Sequence, residues 1–187
     1  MDAVKVLDGI PDGWRVTIQV DTDPINPREM NDDPVHVLTV PSREYIDVDQ
    51  DAGPWAGIWR ALISRQGWKR AIEIVQRWAR LNGHHVYDHA PARGARSLWY
   101  LTREDAADWG DPGAALQAYA REYEAWAEGE VFGWVIERLV TWHRVDDPNI
   151  TRDEWETVES VWGFYGWSEL EYVEQEARAA LAHLTAA

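Results

Sequence analysis

The first part of the chain shows a strand-like alternation of apolar and polar positions. Residues 14–20 (WRVTIQV) change between apolar and polar side chains at every step, which is the period of a half-buried strand. Residues 35–40 are a second apolar segment, ended by Pro41. The stretch between them, residues 21–27, is rich in Asp, Asn and Pro, which favour turns. The pattern predicts two strands joined through a loop.

A helical period replaces the alternation after Pro54. Apolar residues at spacings of three and four predict one helix up to Gln66 and a second from Trp68 to Asn82, with Gly67 between them. The second helix carries its cations away from its apolar face; these residues are Lys69, Arg70, Arg77 and Arg80. We call residues 54–82 the basic helical pair. With a glycine in its turn, the pair has the outline of a helix-turn-helix.

Shorter elements are predicted in the middle of the chain. Residues 84–89 and 98–101 are strand candidates separated by a turn rich in Pro, Gly and Arg. Thr102 and Asp105 resemble a capping box, which predicts a short helix over residues 103–109. Asp111 is then the predicted N-cap of a longer helix, with Pro112 in its first turn and its end at Gly129.

The last third predicts a hairpin and a helix. Residues 131–145 and 156–165 are rich in Val, Trp, Phe and Tyr, with turn residues at 146–149, so we expect an antiparallel pair. Residues 168–171 (SELE) form a capping box before an amphipathic C-terminal helix. Its apolar face consists of Leu170, Val173, Ala177, Leu181 and Leu184. The sequence thus predicts a single α+β domain over residues 1–187, in which several amphipathic helices cover a small antiparallel sheet and the basic helical pair is inserted between strand-rich segments.

Aromatic residues complete the predicted core. The chain has 13 Trp and only 2 Phe, and most of these indoles are expected inside. In residues 162–166 (WGFYG) we expect the two glycines to allow an unusual turn or a close backbone approach, while the aromatic side chains enter the core.

Charge is distributed unevenly along the chain, whose formal net charge is −15. Residues 1–51 carry −8, residues 52–103 carry +7 and residues 104–187 carry −14. Two acidic regions therefore flank a basic one; the segments are either solvated faces that pack beside each other in one domain or an indication of charged partners. The start of the chain lacks a secretory signal, no apolar run is long enough for a membrane span and there is no Cys, so we expect a cytoplasmic protein without membrane contact.

The residues that usually carry catalysis are scarce. There is no Cys, no Gly-x-Ser-x-Gly elbow, no phosphate-binding glycine loop and only two Lys. These absences disfavour covalent catalysis and nucleotide cofactors, and we expect no cofactor. Paired acids such as Asp32-Asp33 lie in turn-like segments, and a hydrolase with an unidentified acidic site stays open as an alternative.

Two segments imitate metal sites imperfectly. In residues 84–89 (HHVYDH), His85 and His89 share one face of a strand but stand about 13 Å apart at 3.3 Å per residue, too far for one ion. Residues 47–53 open like a calcium loop, yet Ala52 and Ile58 occupy the positions that need Gly and Glu. We expect no metal site.

Several strings resemble a family of hypothetical proteins from actinobacterial phages and actinobacterial genomes. They are residues 122–137 (EYEAWAEGEVFGWVIE), 161–166 (VWGFYG), 21–24 (DTDP), 27–29 (PRE) and 98–102 (LWYLT). The match covers most of residues 21–180. Members often have Cys where this chain has Val161 and Tyr where it has Trp134, so any role of those side chains does not carry over. The resemblance implies a phage or mobile-element context and no mechanism.

Together these observations favour an acidic accessory protein without enzymatic activity. We expect it to bind a host or phage protein with a basic surface, and in one version to imitate a nucleic acid. The candidate binding residues are Asp146, Asp147, Glu169, Glu171, Glu174 and Glu176. An alternative is a nucleic-acid-binding regulator that uses Lys69, Arg70, Arg77 and Arg80, although the acidic flanks disfavour contact with a phosphate backbone.

Overall fold

The computed structural model describes residues 3–30, 34–40, 55–91, 96–147 and 149–186. The strands are β1 (Ala3–Val6), β2 (Trp14–Val20), β3 (His36–Thr39), β4 (His85–His89), β5 (Ser97–Leu101), β6 (Val131–His143) and β7 (Thr151–Tyr165). The helices are α1 (Pro27–Met30), α2 (Ala56–Gln66), α3 (Trp68–Asn82), α4 (Pro112–Ala127) and α5 (Leu170–Ala186). This confirms the predicted α+β class. The chain divides into two compact units, Met1–Arg28 with Ala125–Ala187, and Glu29–Glu124.

The first unit is an antiparallel sheet in the order β1-β2-β6-β7, covered on one face by α5. The period of α5 places Val173, Ala177 and Leu181 on the buried side, as the sequence predicts. They pack against Val16, Ile18, Phe132, Trp134 and Ile136 of the sheet. Full burial of a large apolar side chain contributes about 1.5–3 kcal/mol, so the packing of α5 on the sheet stabilises the unit.

Strand β7 contains two bulges. Gly133 pairs with Trp162 while Phe132 pairs with Phe164, which leaves Gly163 as an extra residue. Gly163 has φ +93°, a conformation that a side chain disfavours. The second bulge leaves Val158 unpaired between Glu159 and Thr157. Each extra residue reverses which face the following side chains occupy.

The expectation that the aromatics of residues 162–166 enter the core is wrong for one of them. Phe164 packs on the core of the first unit, but Trp162 remains 38% exposed. The reason is the bulge at Gly163, because it puts Trp162 on the face that α5 does not cover. Trp162 lies instead against Gly133.

The second unit has three layers. Its sheet has the order β3-β5-β4, with α2 and α3 on one face and α4 on the other. Leu38, Leu98 and Tyr100 pack against the α2 and α3 layer, while Trp99 and Leu101 lie on the α4 side. Because β5 is central, side chains on both of its faces are buried. The indole N–H of Trp59 donates to the carbonyl of Thr39 at 2.8 Å and so satisfies the polar atom of a buried ring.

Several elements differ from the prediction. Residues 103–108 form consecutive turns rather than a helix, although the amide of Asp105 does donate to Thr102 Oγ1 at 3.1 Å. Strand β7 begins at Thr151 instead of residue 156, because cross-strand pairing with β6 overrides its polar composition. Strand β1 was not predicted. Pro41, Pro54, the pair Asp32-Asp33 and residues 92–95 of the turn predicted between 89 and 98 lie outside the described residues.

Candidate interaction site

The hairpin of β6 and β7 extends past the rest of its sheet. The last partner of β2 on β6 is Arg138, so beyond it β6 pairs only with β7. We call residues 139–157 the arm; its last two residues, Glu156 and Thr157, pair with Arg138 and Glu137 at its base. Along the described part of the arm, most side chains of both strands are exposed. A two-stranded ribbon without a covering layer is stable only when something else anchors it, and here the anchor is the four-stranded sheet.

The arm exposes large apolar side chains. Trp142 is 58% exposed and Val145 is fully exposed, and Leu139 and Ile150 are also open to solvent. Scattered exposed apolar residues are ordinary, so these four make the arm a candidate binding surface only together with its length and its charge.

The base of the arm is fixed by a small polar cluster. Arg15 donates from Nε and Nη2 to the two carboxylate oxygens of Glu137 at 2.7 and 2.8 Å. Its guanidinium also lies 4.6 Å from the ring centre of Trp155. The hydrogen bonds to Glu137 raise the pKa of Arg15, opposing its partial burial. This arrangement ties β2, β6 and β7 together where the arm begins.

Two of the predicted acidic residues lie at the tip of the arm. Asp146 forms an ion pair with Arg144 at 2.6 Å. Asp147 accepts from the backbone and side-chain nitrogens of Asn149, which is how a turn of this kind is closed. Asp147 therefore has a structural role as well as a charge.

The other four predicted acids lie just before α5, at Glu169, or in its first two turns. Glu169 and Glu171 are exposed, whereas Glu174 pairs with Lys5. Glu176 is half-buried, and its Oε2 has no hydrogen-bond partner in the described part of the chain.

The two groups of predicted acids lie far apart. Twelve strand steps separate the first and last residues of β6, a length of about 40 Å at 3.3 Å per residue. The structure thus places the six predicted residues in two groups at opposite ends of the hairpin.

Sequence reasoning missed the acids that lie between these groups. Asp153, Glu154, Glu156 and Glu159 all lie on β7. Their cross-strand partners place Glu154, Glu156 and Glu159 on the face that α5 occupies further along the sheet. Glu159 joins this face only because of the bulge at Val158. No signal in the sequence reveals such a bulge.

The four cations of the alternative nucleic-acid site share one face of α3. At 100° per residue, Lys69, Arg70, Arg77 and Arg80 fall within about 100° of the circumference of α3. The buried residues of α3 lie on its opposite side; they are Ala71, Ile72, Val75 and Ala79. Glu73 neutralises part of this face through Arg70 at 2.6 Å. However, α2 and α3 are joined by Gly67 alone, so the helix-turn-helix outline, which needs a turn of three or four residues, is wrong.

Residues 85–89 of the histidine string form the strand β4, in which His85 and His89 lie on one face four residues apart. His89 is buried, and its Nε2 lies 3.3 Å from Glu124 Oε2. Among the residues that the structure covers, no group of three His, Cys, Asp or Glu could hold a metal ion. The calcium-like loop at residues 47–53 lies outside the described residues.

Comparisons with known proteins give no guide to the activity. Neither the protein-family models, nor the curated proteins, nor the solved structures contain a significant match to this chain. None of the helices described above combines the length and apolar character that crossing a bilayer requires.

Proposed function

We propose that this chain is a non-enzymatic interaction protein and that its arm binds a protein with a basic surface. The observation that supports this most strongly is the extension of β6 and β7 past β2, with both faces open to solvent. A long hairpin that no other layer of the fold covers is available as a surface for another protein to bind. The resemblance to phage-associated proteins makes a host or phage protein the expected partner.

Charge favours a basic partner. The first unit carries 18 acids and 7 bases, a net −11 of the total −15. Within the arm, five acids stand against two arginines. Complementary charge accelerates encounter and makes binding dependent on salt, because exposed charges are screened beyond about 8 Å at physiological ionic strength.

Aromatic side chains supply affinity that charge alone does not. Trp142 is the most exposed indole of the arm, and Trp is among the residues that dominate the binding energy of interfaces. Its cross-strand neighbour is Arg152, another residue type enriched in such contacts. The arm therefore offers an anchor surrounded by carboxylates.

A narrower form of the proposal is imitation of a nucleic acid. Glu154 and Glu156 share one face about 6.6 Å apart, two strand steps of 3.3 Å. A row of fixed carboxylates attracts the same basic groove that binds a phosphate backbone. In that case the chain and DNA compete for one surface of the partner.

The test begins with proteins captured from the cell that encodes the chain, each then purified. Calorimetric titration measures their affinity for the wild-type chain at about 50 and 300 mM salt. We expect the E154Q/E156Q variant to bind at least about tenfold more weakly at low salt. The matched variant E169Q/E171Q removes the same charge from α5 and should bind like wild type. Absence of a basic partner, or equal weakening in both variants, would contradict the proposal.

A second candidate function is nucleic-acid binding through α3. It is supported by the clustering of four cations on one exposed helix face. A gel shift with duplex and single-stranded DNA tests it. Retardation that is lost in R70E/R77E/R80E would favour this function over the proposed one, and no retardation at moderate salt would exclude it.

A further inference from the structure

The free edge of β7 presents a regular row of unpaired backbone groups. Leu139 N donates to Gly13 O at 2.8 Å, on the side of β6 that faces away from β7. Its partner across the hairpin is Trp155, so these two residues form a pair without mutual hydrogen bonds. Pairs with and without mutual hydrogen bonds alternate along an antiparallel hairpin. Asp153 and Thr151, two and four residues before Trp155, therefore also belong to pairs without mutual hydrogen bonds.

A second hydrogen bond, near the tip of the hairpin, assigns the same residues to the pairs without mutual hydrogen bonds. Arg144 N donates to Ile150 O at 3.0 Å across the hairpin, which makes the next pair, His143 with Thr151, one without mutual bonds. The N–H and C=O groups of Thr151, Asp153 and Trp155 therefore point away from β6. In the sheet order, β7 is an outermost strand, so no described strand pairs with this side.

Side-chain exposure shows that this edge is open. Residues 151–154, 156 and 157 are all exposed, and Trp155 is half-buried under Arg15. The segment is regular over these seven residues, because the bulge at Val158 follows it. Natural proteins usually shorten or cover a strand edge of this length, since it can pair with another chain.

We propose that residues 151–157 accept an extended basic segment of the partner as an added strand. This inference rests on the proposed function and specifies how the arm contacts its partner. Glu154 and Glu156 lie on one face and Asp153 on the other, so cations at alternate positions of an added strand would face carboxylates. Arg152 is the only base of the segment.

A second copy of this chain is not the expected occupant. Residues 151–157 carry three acids and one base, so pairing two β7 edges would bring together two segments of net charge −2, and like net charges repel each other. The same acids therefore oppose self-association and select a basic strand. Added strands obtain affinity from main-chain hydrogen bonds and specificity from alternate side chains.

The experiment uses the full chain and the acetylated heptapeptide Lys-Val-Lys-Thr-Lys-Val-Lys as the probe. Fluorescence anisotropy of the labelled peptide gives the affinity for Asp153→Pro and Asp153→Ala. Both variants lose the carboxylate and the hydrogen bond that it accepts from Thr141 Oγ1, but only Asp153→Pro loses the outward N–H, and an edge strand tolerates Pro at such a position. We expect Asp153→Pro to bind about tenfold more weakly than Asp153→Ala.

Amide hydrogen exchange of the wild-type chain tests the inference without a variant. We expect the peptide to slow exchange at Asp153 and Trp155, while Glu154, whose N–H faces β6, changes little. Equal affinity of the two variants with no protection at Asp153 would overturn the added strand. If such a complex still weakened in E154Q/E156Q, the proposed function would stand with purely electrostatic contact. If the peptide does not bind at all, strand addition by a basic segment is wrong, and titration with the purified partner decides the proposed function separately.

Discussion

The indole of Trp162 occupies the space that a side chain at residue 133 would need. A Cβ added to Gly133 would lie 2.6 Å from Cδ2 of Trp162 and 2.6 Å from the carbonyl oxygen of Val161. Real Cβ contacts are not that short, so either the ring or the strand would have to move. Gly133 is therefore required by close approach on β6, and the bulge at Gly163 places the ring there.

Replacing Gly133 by Ala should destabilise the first unit. The expected loss is about 1–3 kcal/mol in the free energy of unfolding, the usual cost of forcing an atom into a packed site. Urea denaturation followed by circular dichroism measures it. Gly57 is the matched control, because an added Cβ meets nothing within 4 Å and Ala favours the helix in which it lies.

The double variant separates the two contacts of Gly133. Removing the ring with Trp162→Ala should recover part of the loss caused by Gly133→Ala, while the contact with the Val161 carbonyl keeps the recovery incomplete. If Gly133→Ala is as stable as Gly57→Ala, the ring does not lie where we describe it.

The polar cluster at the base of the arm gives a second prediction. Arg15→Lys removes the two-point contact with Glu137 and weakens the contact with Trp155, so we expect a loss of about 1 kcal/mol. Arg138→Lys is the control, since its pair with Glu156 spans 3.8 Å between side chains that are both more than half exposed. Thermal unfolding of both variants should rank them in this order. Equal effects would mean that the Arg15 pair contributes no more than an exposed one.

Alkaline pH should weaken the fold through Tyr100. Burial, and secondarily the charge of Asp105, raises the pKa of Tyr100 well above its ordinary value of about 10. Above about pH 10 the unfolded chain releases this proton while the folded chain keeps it. Stability is therefore fully present below about pH 10 and is lost as pH rises, by at most about 1.4 kcal/mol per pH unit.

Tyr100→Phe isolates this contribution. The variant keeps an aromatic ring beside His36, which lies 4.9 Å away in a stacked arrangement. Denaturant titrations from pH 9 to pH 11 should show a shallower decline for the variant than for wild type. Parallel declines would show that Tyr100 titrates normally in the folded chain.

Replacing Trp142 by Ala distinguishes an effect on partner binding from an effect on the stability of the fold. Trp142 is more than half exposed, so Trp142→Ala should change the free energy of unfolding by less than about 1 kcal/mol. As an anchor of the interface, the same change should weaken partner binding at least about thirtyfold, corresponding to roughly 2 kcal/mol. Unfolding and calorimetric titration on one protein preparation test both parts. A variant that unfolds more easily but binds normally would place Trp142 in the fold rather than in the interface.

Local patterns were enough to predict most elements. The buried face of α5, the pairing of β6 with β7 and the helix α3 follow from periods of 3.6 and 2. The cap at Asp111 is also present, since Ala114 N donates to its Oδ1 at 3.0 Å. Such features depend on residues close together in the chain, which is why the sequence reveals them.

The candidate site was only partly predictable, because it depends on register. Asp146 and Asp147 do lie in the hairpin turn, but Glu174 was expected to be available and is paired with Lys5, 169 residues away. The alignment of Glu159 with Glu154 and Glu156 follows from an extra residue in one strand, which no period predicts. The full reach of β7 likewise depends on its partner strand rather than on its own composition.

Hydrogen-deuterium exchange of the chain bound to its purified partner shows which surface the partner covers. We expect slower exchange in residues 139–157, with the strongest protection in the strand segment 151–157, and little change in α3 or at the start of α5. Protection confined to α3, or to Glu169 and Glu171 with the arm unaffected, would contradict this expectation.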